Sequence, residues 1–146
     1  MKTHKMISVL LFLAISFSAR LFGQTADMLE LLLEKPELSW SEAGAFIQDA
    51  AETELLEKDL LPKNAAPGDT ARLNGVALLL MKSFDIKGGI FYRIAKSPHH
   101  AYRELVYRGI IRGDTDPNMA VSGRQLLLMV SRLLSIREDE TGEASI

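Results

Sequence analysis

The sequence predicts an all-α fold of repeated helix-loop-helix units, two complete copies and one partial copy sharing one core. Three observations predict it. First, residues 51–86 lie over residues 101–136 without a gap. Glu54, Leu55 and Leu56 fall on Glu104, Leu105 and Val106, and Leu60 and Leu61 on Ile110 and Ile111. Pro67 falls on Pro117, the run Val76–Leu80 on Leu126–Val130, Lys82 on Arg132, Phe84 on Leu134 and Ile86 on Ile136. Second, apolar residues in both copies recur at helical spacing. Third, two helix starts fit a capping box, Ser39 with Glu42 and Ser122 with Gln125. In that box the hydroxyl accepts from the third helical N–H while the Glu or Gln reaches back. A period near fifty residues points to stacked helical units, none of which buries its apolar face alone.

The elements follow in order. Residues 1–23 read as a secretory signal peptide: Lys2, His4 and Lys5, then the uncharged apolar run Met6–Ala19, then small and polar residues to Gly23. The run is shorter than the roughly 20 residues a spanning helix needs. The expected address is therefore the periplasm or cell envelope, with no membrane span after cleavage. Residues 24–136 are the expected helical domain. Asp27–Leu33 is a short apolar helix ended near Pro36. Ser39 to about Leu61 reads as helix with a break in the middle, its residues 38–51 forming the partial copy. Lys63–Asp69 is a loop, and Arg72–Phe84 a helix too apolar all round to lie on a surface. Lys87-Gly88-Gly89 stops it. Ile90–Ala95 fits a helical turn or an extended segment. Ser97-Pro98 supplies an N-cap and a proline at the first helical position. Tyr102, Leu105, Val106, Gly109 and Ile110 form the next apolar stripe. Gly113–Pro117 is a loop, Ser122–Ile136 the last long helix, and residues 137–146 a flexible polar tail. The expected core is Phe46, Ile47, Leu55, Leu56, Val76, Leu79, Leu80, Leu105, Val106, Ile110, Leu126, Met129, Val130 and Leu133.

Composition narrows the function. The chain has 17 basic and 19 acidic residues, a net charge of −2 that moves to about −5 once Lys2, Lys5 and Arg20 leave with the signal peptide. Such a surface does not suit nucleic acid. The chain has no cysteine, so an exported domain must hold its core without disulfides.

The stretch Tyr102–Gly113 resembles the first helix and exit loop of an S-layer homology module. Gly109–Gly113 matches that module's first glycine signature, Asp114-Thr115-Asp116-Pro117 its loop, and Val121–Leu134 its second helix. The resemblance covers about forty residues well and the 51–86 unit more loosely. It implies an all-helical, pseudo-threefold module that holds proteins to peptidoglycan or to wall polysaccharide. The chain departs from the family at the arginine of the T-R-A-E motif. Trp40, Leu73 and Gly123 occupy that position, while Arg72 and Arg124 stand one residue to either side. Each residue turns about 100° around a helix, so the charge is re-aimed. Lys87–Tyr92 and Pro98–Leu105 are also similar to exported repeat proteins of spirochaetes.

Candidate ligand contacts are Arg103, Tyr107, Arg124, Trp40 and Arg72, because aromatic faces stack on sugar rings and guanidinium groups pair with acidic ones. The basic residues Arg93, Lys96, Arg103, Arg108, Arg112 and Arg124 crowd the second unit, which suits an acidic polymer or protein patch. Asp114, Asp116 and Asn118 have the first three ligand positions of a calcium loop, but Met119 and Gln125 replace the glycine and the bidentate glutamate of such a loop. An Asp-rich turn capping the following helix is the plainer reading. His99 and His100 point in different directions, and His100 with Glu104, four apart on one helix face, lacks a third zinc ligand. No nucleophile elbow or phosphate-binding glycine loop is present. The expectation is a non-catalytic envelope-associated binding module without a cofactor, contacting cell-wall polymer or an envelope protein, with homo-oligomerisation open. The alternatives are a purely protein-binding scaffold and a divalent-metal-dependent adhesin.

Overall fold

The computed structural model describes residues 26–55 and 57–143. The expected signal peptide, its cleavage point and Leu56 lie outside the described residues. The chain divides into two compact units, Met1–Glu34 and Lys35–Ile146. In the first, residues 26–34 form helix α1, with Met28 and Leu31 exposed. The second contains α2 (Trp40–Ala51), α3 (Glu57–Leu60), α4 (Leu73–Ser83), α5 (Ile90–Ile94), α6 (Pro98–Tyr107) and α7 (Gly123–Glu143). The described residues are thus all-α; their only strand-like features are two isolated bridges, Ser39 with Thr70 and Arg72 with Ala120.

Three extended segments knit the helix starts together. Leu38 N–H donates to Val121 O (2.9 Å), Val121 N–H to Ala71 O (3.1 Å), and Ala71 N–H to Leu38 O (2.8 Å), which closes a ring of main-chain hydrogen bonds. Leu38, Ala71 and Val121 are at most 1% exposed, so the ring satisfies backbone groups that water cannot reach. From its corners leave α2, α4 and α7. The first turn of each helix is tied to the preceding loop of a neighbour: Trp40 N–H to Asp69 O, Leu73 N–H to Met119 O, and Gly123 N–H to Lys35 O. The third tie reaches one residue further back than the other two, so that edge carries no bridge.

Both expected capping boxes form. Ser39 Oγ accepts from Glu42 N–H, and Glu42 Oε2 accepts from Ser39 N–H at 3.0 Å. Ser122 Oγ accepts from Gln125 N–H at 3.2 Å, with Gln125 Oε1 accepting from Ser122 N–H at 3.0 Å. The start of α4 has no side-chain cap.

The chain between Ala51 and Leu61 breaks as expected. Glu52 takes a left-handed conformation (φ 51°), and its N–H satisfies carbonyls at the end of α2. At the fifty-residue offset the ten-residue α6 falls on residues 48–57, the end of α2 and the break, while the four-residue α3 falls on 107–110, at and just past the end of α6. The reason is local. Ser97-Pro98 starts α6 afresh, but the aligned positions Ile47 and Gln48 lie inside α2. Residues 51–60 and 101–110 therefore differ in shape, while the segments after them run alike to the starts of α4 and α7.

Helix α4 is central: Leu73, Val76, Ala77, Leu79, Leu80 and Met81 are all buried, and it packs chiefly on α6 and then on α2. The expected core needs three corrections. Val106 is 41% exposed, because it lies on the flank of α6 turned away from α4. Phe46 and Leu55 are only half-buried. Leu38, Trp40, Ala71, Ile111 and Val121 join the core instead, all beside the ring or at loop exits. The helical domain also does not stop at Ile136: α7 continues through residues expected in the tail, to Glu143. No proline lies between Gly123 and Glu143 to stop it. Among the described residues no helix is long and apolar enough to cross a membrane.

Candidate functional site

A cleft of about 480 Å3 opens where the ends of α4 and α6 meet the middle of α7, lined by Phe84, Asp85, Ile86, Lys87, Arg108, Leu133, Ile136 and Arg137. Its floor follows from the helix stripes: Phe84 closes α4, and Leu133 and Ile136 lie one turn apart on α7. Its rim follows from how α4 ends. Asp85 adopts a left-handed conformation (φ 48°), and Ile86 N–H turns back to Met81 O at 2.9 Å. This carries Lys87 across to α6, where Arg108 Nη2 donates to Lys87 O at 2.7 Å.

Glu104 fixes that arrangement. Its Oε1 accepts from Arg108 Nε at 2.8 Å and its Oε2 accepts from Gly89 N–H at 3.0 Å. Burial pushes the Glu104 carboxyl up, but the hydrogen bonds from Arg108 and Gly89 outweigh it and hold the group below its ordinary value. One carboxylate thereby orients both a guanidinium and the Gly88-Gly89 loop.

The cleft lining holds three cations, Lys87, Arg108 (paired with Glu104) and Arg137, and one acid, Asp85, over an apolar floor. Its lining contains no His, Ser, Thr, Tyr or Cys. The chemistry it offers is binding of an anionic group with an apolar or carbon-rich body.

The sequence-predicted contacts fall elsewhere. Arg103 and Tyr107 stand four apart on α6, both exposed, Tyr107 at 89%. Arg124 is exposed in the first turn of α7. Arg72 is exposed but engaged, its Nη1 donating to Asn118 O at 3.2 Å. Trp40 is a correction: it is 4% exposed, because its indole lies against Gly75 of α4. Only an edge of it lines a smaller cleft of about 220 Å3 with Ser41, Gly44, Gln48, Leu60 and Pro67.

The Asp114–Asn118 loop forms a turn. Asp116 Oδ1 accepts from Asn118 N–H at 2.8 Å, and Asn118 Oδ1 accepts from Asn74 Nδ2 at 3.2 Å. Two of the three expected metal ligands thus have protein partners. Among the described residues no group of three or more His, Cys, Asp or Glu is placed to hold a metal ion. Ser97 caps the start of α6, its Oγ accepting from His100 N–H at 3.3 Å and lying 2.7 Å from His100 Nδ1.

Sequence reasoning named Arg108 as part of the basic second unit but missed the cleft around it. Lys87 reads as part of a helix stop and Arg137 as tail. One signal pointed there: Phe84 and Ile86 align with Leu134 and Ile136, and three of these four residues, all but Leu134, line the cleft.

No protein-family model, curated protein or solved structure matches the chain.

Proposed function

We propose that this protein is a non-catalytic binding module of the cell envelope, exported by residues 1–23, with a pseudo-threefold helical scaffold similar to the S-layer homology module. The observation that carries the reading is the closed hydrogen-bond ring of Leu38, Ala71 and Val121, from which α2, α4 and α7 start. A cyclic arrangement of three starts is what two repeats and a partial copy require when each supplies one long helix. Two further likenesses support it. Ser39 and Ser122 use the same box, and Lys82 and Arg132, aligned in sequence, both reach back to the stretch before the following loop, within α3 and just past α6 respectively. Lys82 pairs with Asp59 at 3.9 Å, and Arg132 Nη1 donates to Ile110 O at 2.7 Å.

The ligand we assign is an acidic segment of wall polymer, held at the cleft of Lys87, Arg108 and Arg137. The family's motif arginine is replaced in all three copies, and this cleft gathers cations of a kind that pair with carboxylate or phosphate. The test is co-sedimentation with cell-wall sacculi carrying or stripped of their acidic accessory polymer. Retention on the intact sacculi, weakened about tenfold (roughly 1.4 kcal/mol) by Lys87→Glu, is expected. Equal retention on stripped sacculi, or none on either, overturns the assignment.

A further inference from the structure

Helix α5 presents three large apolar side chains to solvent within five residues: Ile90 is 71% exposed, Phe91 77% and Ile94 79%. Solvated apolar residues are common singly, but three on one short element form a patch. The helix is nonetheless held firmly. Tyr92, between them, is 5% exposed and fixes α5 to the body. Gly88 makes room for that ring, since a methyl at Gly88 would stand 2.5 Å from Tyr92 Cδ1. Phe91 also stacks on His100 of α6, with centroids 6.4 Å apart and planes 9° apart. The apolar side chains are therefore displayed by a braced element.

The charge around them is one-sided. From Ile86 to Arg103 the chain holds Lys87, Arg93, Lys96 and Arg103 and not one Asp or Glu, although the whole protein is net negative. Arg93, Lys96 and Arg103 are exposed. The first acid beyond, Glu104, is engaged by Arg108 and Gly89.

We propose that α5 is a membrane-surface anchor that seats Ile90, Phe91 and Ile94 at the acyl boundary of an anionic bilayer while Arg93, Lys96 and Arg103 meet its headgroups. Apolar side chains on a short helix with cations beside them are the pattern by which interfacial helices bind anionic lipid. Each cation near such a surface adds to the attraction. The stems of Arg and Lys extend far enough to keep their charges at headgroup level while the apolar side chains enter. This inference does not rest on the wall-polymer reading, and it uses a different surface.

The test exploits the absence of cysteine in the chain. Full-length protein carrying Ile94→Cys, labelled with a polarity-sensitive fluorophore, is mixed with phosphatidylglycerol-rich vesicles and with pure phosphatidylcholine vesicles. Leu128→Cys, on α7, is the control for attachment that does not involve α5. The expected result is a blue shift and quenching by lipid-borne quencher at position 94 on the anionic vesicles only, with position 128 unchanged. Arg93→Glu with Lys96→Glu lowers the labelled protein's partition to anionic vesicles at least tenfold, with an unchanged circular dichroism melt because both side chains are exposed. A label at position 94 that stays aqueous on anionic vesicles overturns the proposal. So does an equal response on neutral vesicles, or a charge reversal without effect on partition.

Discussion

The indole of Trp40 lies across Gly75, the third residue of α4: a methyl added at Gly75 would overlap Trp40 Cη2 and stand 3.1 Å from Cζ2. The two residues begin different helices, so the contact locks α2 to α4 one turn from the hydrogen-bond ring. It also explains why α4 lacks a capping box. The box needs Glu or Gln at the third helical position, and that position here must be a residue without a side chain. Gly75→Ala is expected to lower stability by about 1–3 kcal/mol through overpacking. Trp40→Ala is expected to cost about 3–5 kcal/mol through the void it leaves. In the double variant the alanine methyl fills part of that void, so urea melts should give a loss smaller than the sum of the two.

Capping explains a second ordering of effects. Ser39→Ala and Ser122→Ala each remove an acceptor for an orphan N–H at the start of a long helix. Each should lower stability by about 1 kcal/mol. Arg72→Ala, at the equivalent place on α4, removes only an exposed hydrogen bond to Asn118 O and should cost about half as much or less. Thermal melts of the three single variants decide the order.

How far the sequence told of this depends on the range of the interaction. Capping boxes lie within four residues, so Ser39 and Ser122 were legible from composition and spacing alone. So were the apolar faces of α4 and α7. The fate of Trp40 was not legible, because an aromatic in a first turn looks the same whether it meets solvent or a glycine 35 positions on. Val106 misled for a related reason: the stripe on α6 assumed a broad contact, and α4 covers only the Ala101–Leu105 side. The cleft at Lys87 and Arg108 depends on Glu104 joining α6 to Gly89 over 15 residues. Helical period does not encode that bond.

Ser83 is the one buried polar side-chain atom among the described residues that lacks a partner, its Oγ facing the interior near the end of α4. Leaving a buried hydroxyl unpaired costs free energy that no contact returns. Ser83→Ala should therefore raise stability by about 1 kcal/mol, against the usual direction for a buried substitution. A higher urea midpoint with an unchanged slope is the expected signature.

Acid sensitivity should trace in part to Glu42, beside Glu104, which is also held below its ordinary value. Its carboxylate accepts from Lys35 Nζ and from Ser39 N–H, and these bonds hold it below the ordinary 4.5. A carboxyl depressed on folding contributes stability above its unfolded pKa, and that contribution is lost as pH falls through the folded value. Stability should thus decline below about pH 4.5 through this group. Glu42→Gln keeps the box, as Gln125 does on α7, but removes the titration. The variant should lose less melting temperature than the parent between pH 6 and pH 3, while being slightly less stable at neutrality.

The Asp114–Asn118 loop gives the last expectation. Asp116 turns the chain by accepting from Asn118 N–H, and Asn118 in turn receives Asn74 from the start of α4. A hard cation needs several oxygens converging on one point, and here two of the candidate oxygens are directed at protein donors. Millimolar calcium or a chelator should leave the melting temperature unchanged, since a ligand stabilises only the state it binds. Asp116→Ala should instead cost about 1 kcal/mol by freeing the turn, with no dependence on calcium. A calcium-induced rise in melting temperature that disappears in Asp116→Ala would reverse this assignment and make the loop a metal site.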